Sequence, residues 1–361
     1  MRPSFMDDET ALERQDDAEF ILEPEELDAC VRAAEEQCGL VVRGDPGMVR
    51  VLEELVLQRR SHAITTLVGE PGVGKEKFAR FVHFLRNSGG PFVDVNMAGI
   101  SEHLFESELF GHAKGAFTSA NGERMGRFEQ AGKGTLFLDE VGDMPYDRQG
   151  LLLRAFEQRT FSRVGDNRQL TLDATIVCAT NADIHHAVSI GRMRRDLHDR
   201  LCSCVVVIPP FQERAHDHRV HLMRYLAHKI GMECGCTGLE IEPEAMQMFL
   251  EHPVGGNVRG IENVLRRVGG YVSHRQQSRI GKPLMRRALE EVRKAEDTSF
   301  MHTDLRTQLI RQAMDHGLSA AIEPLKGQIV RAVLEHSEGN QSRTAKILGI
   351  SRQFLRRLLA D

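Results

Sequence analysis

The octapeptide GEPGVGKE, Gly69 to Glu76, constrains this chain more than any other stretch. An apolar run, AITTLV, leads into it and an amphipathic run, KFARFVHFL, leaves it. Strand, then G-x-x-x-x-G-K, then helix is the setting that a phosphate-binding loop requires. Glycines at 69, 72 and 74 let successive backbone N–H groups curl around phosphate oxygens, and the helix N-terminus adds partial positive charge. Gly69, Glu70, Pro71, Gly72, Val73, Gly74, Lys75 and Glu76 are therefore the expected nucleotide contacts, with Lys75 bridging the β- and γ-phosphates. The Ser or Thr that usually follows the lysine is replaced by Glu76, a carboxylate placed to reach Mg²⁺ through water.

A phosphate loop hydrolyses nothing without acids to hold a metal and polarise water. The run GTLFLDE ends in Asp139 and Glu140. Asp139 is the expected Mg²⁺ ligand and Glu140 the base that polarises the attacking water. Two acids at a strand end are common on surfaces, but this pair follows a phosphate loop in the same alternating domain. Between the two motifs lies GAFTSA: Gly115, Ala116, Phe117, Thr118, Ser119 and Ala120. Small flanking residues let the backbone turn sharply and leave Phe117 unshielded, so the loop reads as a contact surface.

Four parts are expected along the 361 residues. Residues 1–41 form an acidic head, part disordered and part helix. Residues 42–210 alternate strand-like runs (AITTLV, PFVDV, GTLFLD, ATIVCA) with helical patterns, which predicts an α/β fold: a parallel sheet covered by helices. Residues 211–297 are helical, with apolar residues at three and four spacing in VHLMRYLAHKI, PEAMQMFLEH and VRGIENVLRRV. Residues 298–361 hold a linker and a last helical unit. The net charge of −5 confines any nucleic-acid contact to a local patch. No apolar run approaches a membrane span and the acidic start is unlike a secretory signal, so the expected compartment is the cytoplasm. Seven cysteines, an odd number, read as reduced thiols. Cys202 and Cys204, expected on one strand face of CSCVVVI, and Cys234 and Cys236 read as core or surface thiols rather than zinc ligands. His216, His218 and His221 are expected on a helix whose polar residues face water.

Taken together, GEPGVGKE, ESELFGHAKGAFTSA, GTLFLDEVGDMP, CATNADI, RRDLHDRL and GGNVRGIENVLRR resemble the AAA+ domain of bacterial enhancer-binding proteins, the activators of sigma-54 RNA polymerase. The resemblance covers about residues 42 to 275. It implies an AAA+ P-loop ATPase with a helical lid, using ATP and Mg²⁺. Position by position, it implies that Asn96 restrains Glu140 until γ-phosphate is sensed, and that Asn181 reads that phosphate. It implies that Arg194 and Arg200 serve a neighbouring subunit's nucleotide, and that Arg259 is a second sensor on the lid. An arginine supplied in trans stabilises charge on the transferring phosphoryl group, and a head-to-tail contact that closes makes a ring; the implied assembly runs from dimer to hexamer. The family loop is GAFTGA and presses on sigma-54. Ser119 replaces its second glycine, at a cost on the order of 1 kcal/mol if positive φ is needed. Val254-Gly255 and Ala113 are milder departures.

The last twenty or so residues resemble the Fis-type helix-turn-helix common in that family, making an all-α C-terminal DNA-binding domain. In GNQSRTAKILGISRQFLRRLLAD, Gly349 makes the turn and Ser351 caps the second helix. Arg352 and Gln353 are candidates for base edges of double-stranded DNA, and Arg343, Arg356 and Arg357 for phosphates. No stretch before the phosphate loop is long enough for a receiver or sensing domain, so control is expected from a regulatory protein in trans, expression level or the acidic head. Two functions stay open: an ATP-driven activator of sigma-54 polymerase, and a DNA-binding regulator whose AAA+ domain acts without sigma-54 contact.

Overall fold

The structure, a computed structural model, describes residues 21–86, 89–117, 120, 122–236, 238–252, 254–275 and 278–294, together with 341, 345 and 347. The chain divides into two compact units, residues 1–289 and 290–361. Thr118, Ser119, Arg343, Ser351, Arg352, Gln353, Arg356 and Arg357 lie outside the described residues.

The four apolar runs become parallel strands: β1 (Thr65–Val68), β2 (Phe92–Asn96), β3 (Thr135–Asp139) and β4 (Thr175–Thr180), joined by β5 (Val205–Val207). Their order in the sheet is β2-β3-β4-β1-β5. Successive side chains of a strand point to opposite faces, and both faces are apolar. Leu136, Leu138, Ile176 and Cys178 face one core cluster, Phe137, Val177 and Ala179 the other. A sheet buried on both sides needs helices on both sides.

On one face lie α1 (Pro24–Cys38), α2 (Pro46–Leu57) and α3 (Lys75–Leu85). On the other lie α4 (Phe105–Phe110), α5 (Arg127–Ala131), α6 (Tyr146–Gln158), α7 (Ile184–Ser189) and α8 (Arg195–Leu201). Helix α1 falls in the acid-rich head, yet Leu27, Val31, Ala34 and Cys38 make a buried stripe on it. Burying a large apolar side chain contributes roughly 1.5–3 kcal/mol, enough to seat the helix. Gly39 ends it at φ +61°, with the Gly39 and Leu40 amides returning to the Glu35 and Ala34 carbonyls, each at 3.0 Å.

Beyond β5 come α9 (His216–Glu233), α10 (Pro243–Glu251) and α11 (Asn257–Arg275). Asp45 ties this helical part to the sheet part: its carboxylate accepts from Met48 N (3.1 Å) at the start of α2 and from Ala215 N (2.7 Å) at the start of α9. Among the described residues no helix is long and apolar enough to cross a membrane.

Two expectations are corrected. Cys202 is not on a strand: its amide closes the last turn of α8 on His198 O at 2.8 Å, and only the buried Cys204 leads into β5. His218 does not face water but is fully buried, because it stands one and two turns before Leu222 and Leu226 on the inner face of α9. Its Nδ1 lies 3.0 Å from Arg43 O, so that nitrogen carries the proton and Nε2 faces the Arg214 guanidinium at 3.5 Å. Burial first, and Arg214 second, push the imidazole down from 6.5 to about 4. Above pH 6.5 folded and unfolded chains both hold it neutral. As pH falls from 6.5 toward 4 the unfolded chain takes up the proton first, so stability is lost across that window. His218→Asn, which can still donate to Arg43 O, is expected to recover up to about 3 kcal/mol at the acid end, measured as urea midpoints at pH 7 and pH 4.5.

Candidate nucleotide site

In a parallel sheet, ligands gather beyond the carboxyl ends of the strands. The register puts Asn96 beside Asp139 and Val68 beside Thr180. The phosphate loop leaves β1, the acidic pair closes β3, and Asn181 follows β4, the strand between them. A pocket of about 230 Å³ is lined by Gly72, Gly74, Lys75, Asp139, Glu140, Asn181 and Arg259 among others. Gly74 opens α3 at φ +105°, a conformation that glycine accepts without strain.

Lys75 Nζ donates to the carbonyls of Gly69 (2.7 Å) and Glu70 (3.1 Å). Burial lowers its pKa, while Asp139 and Glu140 pull the other way. Burial raises the pKa of Asp139, opposed by the Glu140 amide, which donates to its Oδ1 at 3.0 Å, and by Lys75. Glu140 sits at φ +58°, rare for a residue with a side chain. Such a backbone persists only where its surroundings impose it, often at functional sites. Asn96 accepts from Gly99 N at 3.0 Å and, among the described residues, makes no hydrogen bond to Glu140. Glu76 borders the pocket, but its carboxylate is paired with Arg80 at 2.8 Å.

The arginines part company. Arg259 lines the pocket, and its amide donates to Gly72 O at 3.4 Å. Arg194 and Arg200 are not among its lining residues. Arg194 is partly exposed and paired with Asp196 at 2.8 Å, while its own amide is held by the buried Gln149 at 2.8 Å. Arg200 turns inward, with Nη2 donating to Phe156 O at 3.4 Å.

Two supporting residues escaped the sequence reading. Asn257, at φ +53°, donates from Nδ2 to Glu70 Oε2 (2.9 Å) and Pro71 O (3.1 Å) and accepts on Oδ1 from Phe211 N (2.8 Å). It stitches the first turn of α11 to the phosphate loop, where Gly72 lies so close to Gly256 O that an added Cβ would stand 2.2 Å away. The Gly-Gly-Asn run is its sequence signal, since Asn tolerates left-handed backbone. Arg214, buried, donates to Val73 O at 2.9 Å and Pro209 O at 3.1 Å, and burial lowers its pKa to about 10; nothing in its neighbourhood announces it. Asn257→Ala is expected to cost about 1–3 kcal/mol in a urea titration and to weaken nucleotide binding. Asn257→Gly, which keeps the backbone but not the bonds, should weaken nucleotide binding as well if the stitch is what matters.

The GAFTSA loop closes on itself through Gly115 N to Ala120 O and Ala120 N to Phe117 O, each 2.9 Å. Gly115 takes φ +80°. Phe117 is 38% exposed, its ring set edgewise on His112 with centroids 4.9 Å apart. The strand-like stem is laced to a neighbouring hairpin, Thr160–Ser162 with Gln169–Thr171. Ala113 N donates to Val164 O (3.0 Å) and Val164 N to Gly111 O (2.9 Å). Ala116 rests on Gly165 so tightly that a Cβ there would lie 2.7 Å from its own.

Residues 41–207 match the sigma-54 interaction domain, and 322–360 the bacterial regulatory protein, Fis family. NtrC of Azospirillum brasilense is 35% identical over 94% of this chain and 72% of its own length. The chain belongs to the sigma-54 activator family. FlbD of Caulobacter vibrioides is 36% identical over 95% of this chain and 75% of its own. The structures of NtrX from Brucella abortus in complex with ADP and with ATP each superpose with a TM-score of 0.62 at 26% identity, the ATP complex over 93% of this chain and 72% of that one. The family's AAA+ domains are ATPases, and the pocket is lined by the residue types that a nucleotide site of that kind uses. Its donor set also fits Mg²⁺, which takes one or two carboxylates and leaves the rest of its shell to phosphates and water: Asp139 is a half-buried carboxylate beside the phosphate-loop lysine. In this sigma-54 activator domain the interaction-domain match ends within β5, so Asn257 and Arg259 are contributed from beyond it.

Proposed function

We propose that the chain is an ATP-driven activator of sigma-54 RNA polymerase, bound to upstream double-stranded DNA through its Fis-type unit. The observation that carries this reading is the convergence of Lys75, Asp139, Glu140, Asn181 and Arg259 on one pocket while Arg194 stays outside it. Lys75 and the loop amides hold the β- and γ-phosphates, Asp139 holds Mg²⁺, Asn181 and Arg259 read the γ-phosphate, and Glu140 orients water. Mg²⁺ supplies charge neutralisation on the transferring phosphoryl group. Arg194, freed from Asp196, completes the site of a second copy; Arg200 positions α8. Repetition of that contact makes an oligomer, up to a ring. Regulation by a second protein fits this scheme.

Turnover acts outward through Phe117 and Thr118, and Phe117 is already exposed beside the stem. Phe117→Ala is expected to leave ATP turnover near wild type and to abolish open-complex formation by purified sigma-54 polymerase on a DNA template carrying the operator. Ser119→Gly, restoring the family residue, should raise open-complex yield. If neither wild type nor Ser119→Gly forms open complexes while both hydrolyse ATP, the chain instead regulates without sigma-54 contact.

A further inference from the structure

His185 lies in the first turn of α7, and His198 and Cys202 lie on and just after α8. Residues four apart on a helix stand one above the other on the same face, so His198 and Cys202 form a two-point chelate. The packing of α7 on α8 adds the third donor. His198 Nε2 is 3.0 Å from His185 Nδ1 and 3.3 Å from Cys202 Sγ, and the three donor atoms all lie within 4.8 Å of one another. A tetrahedral ion with bonds near 2.0 Å to nitrogen and 2.3 Å to sulfur needs donor separations of about 3.3–3.6 Å. Both separations from His198 Nε2 lie within a few tenths of an ångström of that range, and rotation of His185 and Cys202 about their side-chain bonds brings their own donors into it.

A second feature points the same way. His198 Nδ1 is 3.0 Å from Asp199 Oδ1. A carboxylate that accepts from one imidazole nitrogen fixes the tautomer with the other nitrogen free, and raises its basicity as a ligand. The burial is graded as an entry path requires: His198 and Cys202 are half-buried, and His185 is exposed.

We propose that His185 Nδ1, His198 Nε2 and Cys202 Sγ form a site for a borderline divalent cation, Zn²⁺, with water in the fourth position, and that the bound ion acts on the helix bearing Arg194 and Arg200. Two imidazoles and a thiolate select Zn²⁺ over Mg²⁺, which prefers oxygen donors. The ion required by the nucleotide and the ion bound here therefore do not compete. On binding, the Cys202 thiol passes its proton to solvent and sulfur bonds the metal. The ion then pins the start of α7 to the end of α8, whose other end is already fixed where Gln149 holds the Arg194 amide. The effect on Arg194 rests on the trans-arginine reading above; the metal site does not.

The test uses the full chain titrated with Co²⁺ as a spectroscopic probe. One equivalent is expected to give tetrahedral visible bands and a thiolate-to-cobalt charge-transfer band, displaced by Zn²⁺ and untouched by excess Mg²⁺. Cys202→Ser should lose the charge-transfer band and His185→Gln should weaken binding at least about tenfold, while Cys234→Ser changes neither. A charge-transfer band that survives Cys202→Ser, or no Co²⁺ binding at micromolar concentration, overturns the site. Turnover of the assembled protein should differ by about fivefold between the Zn²⁺-loaded and Zn²⁺-stripped states, with no difference in Cys202→Ser. Equal turnover in a chain that binds Co²⁺ overturns the action on α8. A chain that binds Co²⁺ but never hydrolyses ATP faults the ATPase reading and leaves the metal site standing.

Discussion

Glu140→Gln is expected to lower ATP turnover by about 10²–10⁴-fold with nucleotide binding kept. The amide preserves size and one accepting oxygen but cannot draw a proton from water. The proposed nucleotide contacts are the phosphate loop, Lys75 and Arg259, none of which touches this carboxylate by hydrogen bond among the described residues. The substitution also keeps the constrained backbone at φ +58°, so a folding defect is not expected. Single-turnover hydrolysis alongside equilibrium binding of a fluorescent ATP analogue separates the two effects. Unchanged turnover would remove Glu140 from the chemistry and return the acidic strand end to ordinary surface.

Arg194→Ala is the second large effect, about 10³–10⁵-fold in turnover, and its signature is recovery by mixing. Arg194 makes its ion pair with Asp196 in the exposed start of α8 and is not among the residues lining its own chain's pocket. If it serves a neighbour, a Glu140→Gln chain still supplies an intact arginine and an Arg194→Ala chain an intact glutamate. Mixing two inactive proteins should then restore part of the activity, rising with total concentration. Mixtures that stay inactive at every ratio would place the arginine's work inside its own chain. Arg200→Ala, whose side chain meets Phe156 O, should instead show up first as lost stability.

Phosphate chemistry made the candidate nucleotide site legible. Glycines that must turn, a lysine, and acids at the end of a strand leave few alternatives in residue type, so GEPGVGKE and GTLFLDE announce both the pocket and the parallel sheet around it. What stayed hidden depended on neighbours distant in the chain. CSCVVVI reads as a single β run, but α8 continues to Cys202 because the amide of that residue finds His198 O. His218 carried a helical-spacing signal, one turn before Leu222, that its polarity masked. Asn257 and Arg214 act on carbonyls of the phosphate loop 186 and 141 residues away in sequence. No local pattern encodes such a reach.

The stretch that leads to Phe117 is braced from Gly111 to Ala116. With its stem bonded to Val164 and Ala116 wedged on Gly165, it is one prong of a fork whose other tine is the hairpin beside it. Bending one tine loads both, so the thrust proposed for the tip would carry the stiffness of the pair, and residues 163–168 are expected to leave their own footprint on whatever the aromatic tip strikes.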